Sequence, residues 1–168
     1  MKLGKLDLEI INDGIFYLDG GAMFGVVPKV MWSKLNPADD KNRIELALNL
    51  LLIKGKDFKI LIDTGIGDKL KERFIEIYSV QRGKGLIQNL NDLGIKPDEI
   101  DIVINTHLHF DHCGGNTIYN EDKRAIPTFC RAKYFVQKAE WADAVSPNER
   151  TKASYLLENF LPIQNSGQ

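Results

Sequence analysis

Cysteine is scarce in this chain, with two residues among 168. Cys113 and Cys130 are too few for a disulfide scaffold, and their spacing matches no zinc-ribbon or CxxC pattern. Free cysteine behaves as a small apolar side chain and is usually buried. We therefore expect both thiols to be reduced and buried.

Long apolar runs and an excess of charge of one sign are also missing. No stretch reaches the roughly 18 apolar residues of a transmembrane helix, and charges interrupt the N-terminus where a signal peptide would need an apolar core. We expect a soluble, cytoplasmic protein without a membrane partner. The 22 basic and 23 acidic residues give a net charge of −1, and no basic run stands out, so a nucleic acid partner is not expected either.

The chain does have the composition of a globular domain, with 43% hydrophobic and 27% charged residues. Apolar residues recur with the spacing of both strands and helices, which predicts an α+β protein. The predicted strands are a hairpin over 6–18 that turns at 12–14, then 43–54, 58–63, 102–104 and 133–136. The predicted helices are 69–78, 86–93, 137–145 and a weaker one over 147–160. Residues 19–37 show no clean period and predict a long loop.

All three histidines of the chain lie in the segment 107–112, which has the pattern HxHxDH. His107 and His109 are two residues apart, so on extended backbone their side chains point to the same side and can bind one metal ion. Asp111 and His112, on the turn that follows, are placed to hold a second ion. Imidazole nitrogen and carboxylate oxygen are donors that suit Zn²⁺, with Fe²⁺, Mn²⁺ and Co²⁺ as alternatives.

A site with two divalent ions predicts hydrolysis. Such ions lower the pKa of a bridging water and polarise the carbonyl or phosphoryl oxygen under attack. A cluster of imidazoles and a carboxylate without metal would mostly lack compensating partners in the interior. We therefore interpret the segment as the metal-binding part of an enzyme with a small-molecule substrate.

At these residues the sequence resembles the metallo-β-lactamase superfamily, whose HxHxDH motif is matched at every specified position and also follows a buried strand. The resemblance implies that His107 and His109 bind the first metal and that Asp111 and His112 bind the second. Asp111 would be catalytic, as one of the groups that hold the attacking hydroxide. Asp63 is similar to the family's strand-end aspartate, which would orient a ligand histidine.

The resemblance also implies a fold, a four-layer αβ/βα sandwich of two similar halves. This chain would supply the first half, a mixed β-sheet with flanking helices. Three histidines are fewer than the complete site of the family contains. We therefore expect residues 1–168 to be the N-terminal portion of a single domain whose C-terminal half is absent from this chain.

The stretch 19–32 resembles the branch of N-acyl homoserine lactonases and organophosphate hydrolases. This implies a lactone, ester or phosphotriester substrate, with Met23, Phe24 and Trp32 in the substrate pocket. Met and aromatic residues also fill ordinary cores, so packing is the alternative role for these three. A thioester substrate, as in glyoxalase II relatives, or a β-lactam remains open.

The expected partners follow from the half-domain interpretation. A sheet face that lacks its sister sheet is normally covered by another chain or causes association. The partner would be the missing C-terminal half or a second chain, and a homo-oligomer is expected. The alternative function is a non-catalytic metal-binding or interaction fragment, in which the half-site binds one ion weakly.

Overall fold

The computed structural model describes residues 1–168, and its main feature is a mixed β-sheet of seven strands with helices packed against it. The strands are β1 Lys2–Leu3, β2 Leu6–Asp19, β3 Arg43–Lys54, β4 Lys59–Ile62, β5 Gln81–Arg82, β6 Ile102–Ile104, β7 Thr117–Tyr119, β8 Ala125–Pro127 and β9 Lys133–Phe135. The α-helices are α1 Gly20–Phe24, α2 Lys29–Trp32, α3 Glu72–Ile77, α4 Leu86–Asp92, α5 Phe110–Cys113, α6 Lys138–Val145 and α7 Leu161–Asn165. Single 3₁₀ turns cover Pro97–Glu99, Gly114–Asn116 and Leu157–Asn159.

The sheet order is β1-β2-β3-β4-β6-β9, with β5 paired to β2. Strands β1 to β4 pair antiparallel, whereas β4, β6 and β9 pair parallel. Strands β7 and β8 form a separate hairpin. Because parallel strands end at the same edge of a sheet, the segments after β4 and β6 are brought side by side, and these are the segments that carry Asp63 and the histidines.

One face of the sheet is covered. Period-2 alternation turns Leu50 and Leu52 of β3 toward Leu86 and Leu90 of α4, and Val103 of β6 completes this layer. All five are buried. Burial of such side chains stabilises the fold by roughly 1.5–3 kcal/mol each, so this layer holds α4 against the sheet.

The opposite face, here called the outer face, is apolar and partly open. Register places the following side chains in one row across five strands, from β2 to β9: Ile10, Leu51, Ile62, Ile104 and Phe135. Both ends of the row are exposed, Ile10 at 71% and Phe135 at 55%. A groove of about 710 Å³ runs along part of this face and reaches Asp63. The expectation that the strand before the motif is buried therefore holds for one face of β6 only: Val103 is buried, and its neighbours Ile102 and Ile104 are half-buried.

Several predicted elements are confirmed, and three are wrong. The predicted hairpin over 6–18 is one continuous strand, because the backbone at Asn12–Ile15 forms an irregularity in the pairing with β3 and not a reversal. The predicted loop over 19–37 contains α1 and α2, and the Asp19 carboxylate caps α1 by accepting from the Ala22 N–H at 2.8 Å. The predicted helix over 147–160 is absent apart from the 3₁₀ turn Leu157–Asn159, and helix α7 comes later.

The two cysteines are both free, and only one of them is buried. Cys113 lies in the core, whereas Cys130 is exposed, so the prediction of two buried thiols is wrong for Cys130. None of the helices combines the length and the apolar character needed to cross a bilayer.

Asp13 is a buried carboxylate in the irregular part of β2. Its Oδ2 accepts a hydrogen bond from the Ile66 N–H at 3.1 Å, which ties β2 to the loop after β4. Burial raises the pKa of Asp13 to about 6, and backbone hydrogen bonds from Ile66 and Gly67 offset only part of this effect. A carboxyl pKa that is higher in the folded than in the unfolded state means that ionisation of Asp13 opposes folding.

We expect the stability linked to Asp13 to be fully present below about pH 4 and lost as pH rises through about 6. Asp13→Asn keeps an oxygen for Ile66 and removes the ionisation. The unfolding free energy of the variant minus that of the wild type should therefore increase by on the order of 2 kcal/mol from pH 4 to pH 7. Urea unfolding at both pH values measures this, with the exposed Asp143→Asn as control. A variant-to-wild-type difference that does not change with pH would contradict the prediction.

Candidate metal centre

The candidate centre lies where β4 and β6 end, and the Asp63 carboxylate is its most connected group. Oδ1 accepts from the Thr106 N–H at 2.8 Å, and Oδ2 accepts from the Thr106 hydroxyl at 2.8 Å. The same Oδ2 lies 2.9 Å from Nδ1 of His112. Asp63 itself adopts a positive φ of 59°, a conformation in which Asp is tolerated better than most residues. One side chain thus fixes both the start of the histidine motif and the ring of its last histidine.

The three predicted histidines are brought together. Ring centroids of His107 and His109 lie 4.6 Å apart, and those of His107 and His112 lie 4.0 Å apart. His109 is extended and directly precedes α5, which carries Asp111 and His112. The Asp111 carboxylate is 3.4 Å from Nε2 of His112. All four predicted ligands therefore share one cluster with Asp63.

Apolar residues of the motif anchor it between the polar ones. Leu108 and Cys113 are buried with Ala144 of α6 and with Phe160, and Phe110 is buried in a separate cluster that includes Phe16. These side chains point into the core while His107, His109 and His112 stay partly exposed, so the pattern of the motif separates anchoring from ligand positions.

The ionisation of the cluster follows from its contacts. Burial alone would lower the pKa of His112, but hydrogen bonds from its ring to Asp111 and Asp63 raise that pKa to about 9. Burial alone would raise the pKa of Asp111, but His112 holds it below its usual value. Burial lowers the pKa of His107 and of His109, and the charge of His112 acts in the same direction. Both shifts favour the neutral imidazole, which is the form that binds metal.

The donor set fits divalent transition metals, although it is not arranged as a closed site. Three imidazoles and a carboxylate are ligands that zinc takes in proteins. No three His, Cys, Asp or Glu side chains converge on one point, because Nε2 of His112 faces Asp111 and the Nδ1 of His107 lies 3.1 Å from the Thr106 hydroxyl. The expectation that these residues form two donor pairs, His107 with His109 and Asp111 with His112, stays a prediction.

The loop after β4 packs against the backbone at the end of the motif and forms hydrogen bonds with it. The Thr64 N–H donates to the His112 carbonyl at 2.7 Å, and the Gly114 N–H donates to the Gly65 carbonyl at 2.8 Å. The two backbones approach so closely that a Cβ on Gly114 or Gly115 would collide with backbone atoms of this loop. Close approach is the reason that glycine follows the motif.

Three supporting residues were missed by sequence analysis. The Glu140 carboxylate of α6 accepts from the Leu108 N–H at 2.8 Å, the Ser154 carbonyl accepts from the Phe110 N–H at 2.9 Å, and the Tyr155 ring packs on His109 with centroids 4.9 Å apart. They lie about 30 to 45 positions beyond the motif, and no spacing in the sequence relates them to it. Only the folded chain brings them to it.

The predicted pocket residues form a small cluster of their own. The rings of Phe24 and Trp32 stack with centroids 4.9 Å apart, Trp32 is buried against Gly20, and Met23 is about half exposed. This cluster lies on the excursion between β2 and β3. Its place beside the histidines stays a prediction.

Comparison with known families identifies the chain. A family model described as Metallo-beta-lactamase superfamily matches residues 44–152, a range that includes Asp63 and all three histidines. The chain belongs to the metallo-beta-lactamase superfamily.

Relatives in this superfamily include N-acyl homoserine lactonases. The lactonase AttM of Rhizobium johnstonii is 25% identical over 155 residues, which cover 87% of this chain and 54% of that protein. A lactonase of Bacillus cereus is 26% identical over 134 residues, which cover 74% of this chain and 48% of that protein. The chain thus spans about half the length of the relatives it matches.

Solved structures of the superfamily share the fold. A probable metal-dependent hydrolase from Staphylococcus aureus superposes with a TM-score of 0.88 at 36% identity, over 99% of this chain and 59% of that one. AidC, a dizinc quorum-quenching lactonase, superposes with a TM-score of 0.72 at 25% identity, over 99% of this chain and 58% of that one. The prediction of an α+β fold with a mixed sheet and flanking helices, as in this superfamily, is confirmed.

The close approach after the motif can be tested with glycine substitutions. Gly115→Ala would place a Cβ against the Thr64 carbonyl, and we expect it to lower the unfolding free energy by about 1–3 kcal/mol, as overpacking does. Gly83→Ala is the control, because its added Cβ has no neighbour nearer than 3.9 Å. Urea unfolding measures both. Equal stability of the two variants would show that the approach is not tight.

Proposed function

We propose that this chain supplies half of the binuclear metal site of a hydrolase. His107 and His109 would hold one divalent ion, and Asp111 and His112 would hold the other. Zinc is the expected ion, with iron, manganese and cobalt as alternatives. The observation that carries the proposal is the cluster at the ends of β4 and β6, in which His107 lies beside both other histidines and His112 contacts the Asp63 and Asp111 carboxylates.

When bound, the ions would supply a nucleophilic hydroxide near neutral pH and polarise the oxygen of the scissile bond. The chain's own residues have the task of holding ligands. Asp63 fixes the ring of His112 through Nδ1, which directs Nε2 toward Asp111. Glu140 fixes the backbone between His107 and His109 through the Leu108 N–H. Asp111 would be the catalytic carboxylate, because it would hold an ion where the nucleophile forms.

The proposed substrate is a lactone, an ester or a phosphotriester. Support comes from the relatives, which are named as N-acyl homoserine lactonases. Within this proposal Met23, Phe24 and Trp32 form an apolar wall of the substrate pocket. A thioester or a β-lactam is the alternative substrate, and a panel of the five classes separates them.

Metal content tests the proposal directly. We expect about two divalent ions per chain at saturating zinc, each bound weakly, because a catalytic zinc usually has three protein ligands and this chain offers two to each. His109→Ala should lose the first ion and Asp111→Ala the second, as measured by equilibrium dialysis with elemental analysis. Asp143→Ala, an exposed carboxylate, is the control. Unchanged stoichiometry in both site variants would refute the assignment.

We further propose that residues 1–168 form the N-terminal portion of a larger domain and that the remaining half covers the outer face. Two observations support this: the chain matches about half the length of its relatives, and the apolar row on the outer face leads to Asp63 through the groove. Whatever covers that face would also border the candidate centre. Alternatively, the chain is a non-catalytic metal-binding or interaction fragment, which the same exposed face would suit.

The proposal predicts that the isolated chain associates and has little or no activity. Sedimentation should give oligomers or aggregates, since an exposed apolar face of this size drives association. Ile10→Lys, in the exposed end of the row, should shift the distribution toward monomer, whereas Ile118→Lys, on the separate β7–β8 hairpin, should not. Lactone and phosphotriester hydrolysis is measured on the same samples. A stable, active monomer would refute the half-domain interpretation.

A further inference from the structure

Lys69 is a buried lysine that the proposed chemistry does not use. The residue is only 7% exposed, and burial lowers the pKa of its ammonium to about 8. The protein's ion pairs do not include it. Its Nζ instead donates to the Gly114 carbonyl and, at 2.6 Å, to the Thr117 carbonyl.

The Gly114 carbonyl directly follows α5, which carries Asp111 and His112, and the Thr117 carbonyl directly follows the next 3₁₀ turn, at the start of β7. Helix α5 has four residues and continues into the 3₁₀ turn Gly114–Asn116. A helical segment this short is not stable by itself, and its last carbonyls have no partner within the helix. A cation at the carboxyl end satisfies them and interacts favourably with the helix dipole.

The burial of a lysine here has a cost that an apolar residue would avoid. Transfer of an ammonium from water to the interior is unfavourable unless hydrogen bonds compensate. A methionine of similar length would fill the same space without that cost. The contribution that only the ammonium can make is to hold the Gly114 and Thr117 carbonyls at fixed positions.

The loop after β4 contacts the C-terminal end of the motif through both of the loop's own ends. At the start of the loop, Asp63 contacts the ring of His112, and the Thr64 N–H donates to the His112 carbonyl. At the end of the loop, Lys69 donates to the backbone that follows α5. His107 and His109 precede α5 and have separate supports, Thr106 with Asp63 and Leu108 with Glu140. Loss of Lys69 should therefore affect Asp111 and His112 more than the first two histidines.

We propose that Lys69 is a positioning residue that fixes the helical turn of Asp111 and His112 and so sets the affinity of the second metal ion. The role of Lys69 in metal affinity rests on the proposed function, whereas its role in fixing the helical turn does not.

Lys69→Met removes the ammonium and retains the length of the side chain. Lys71→Met, two residues further on and exposed, is the matched control. The first measurement is hydrogen exchange of the metal-free proteins, followed by mass spectrometry. We expect exchange in peptides over 110–117 to be about tenfold faster in Lys69→Met than in Lys71→Met, with exchange in β3 unchanged.

The second measurement is a cobalt titration followed by visible absorption, which reports on the ligands of each ion. Loss of a residue that supports metal ligands typically weakens binding about 10- to 100-fold. We expect such a loss for the second cobalt ion in Lys69→Met, with an altered spectrum for that ion alone, and wild-type behaviour in Lys71→Met.

The outcomes separate the two proposals. A wild type that takes up no cobalt refutes the proposed function, and the exchange experiment still decides the role of Lys69. Equal exchange over 110–117 in both variants overturns the role of Lys69, whether or not metal binds. If Lys69→Met unfolds, Lys69→Gln, which keeps an N–H donor, provides the comparison. Faster exchange throughout β3 in both Lys69 variants would show that the lysine serves the core, and would also overturn the proposal.

Discussion

The candidate centre depends on the Asp63 carboxylate more than on any other single group. It accepts two hydrogen bonds from Thr106, at the start of the motif, and contacts the ring of His112, at its end. These contacts are possible because β4 and β6 pair in parallel and end together. The parallel pairing is stabilised in turn by the buried layer that holds α4 against the sheet. Core packing and the ligand cluster are thus linked through one side chain.

Sequence patterns predicted the parts of this arrangement that local spacing determines. Strands β3 and β6 lie at the predicted positions. Alternating or continuous apolar residues reflect which faces of a single strand are buried, so this signal can be read from the strand's own residues. The four metal-ligand candidates were recognised because their spacing is itself the signal. Asp63 was added through the family resemblance, and the structure brings all five residues together.

The features that sequence analysis missed depend on contacts between distant segments. The turn expected at 12–14 is an irregularity within β2, because Asp13 is buried beneath the loop after β4 and has a partner there in Ile66. Sequence analysis assigned no role to Glu140 or Lys69, since no neighbouring residue in the sequence shows that Glu140 accepts from the Leu108 N–H or that Lys69 donates to two buried carbonyls. The role of such a polar side chain depends on its hydrogen-bond partners, and these come from segments that are distant in the sequence.

The glycines after the motif and the excursion between β2 and β3 differ in how they tolerate substitution. Gly114 and Gly115 press backbone against backbone, so neither position accepts a side chain. The excursion between β2 and β3 is the opposite, with apolar side chains such as Val26 and Leu35 almost fully in solvent. A substitution of Val26 or Leu35 meets solvent and leaves the backbone beneath the histidines untouched, whereas any side chain at Gly114 or Gly115 has to displace that backbone.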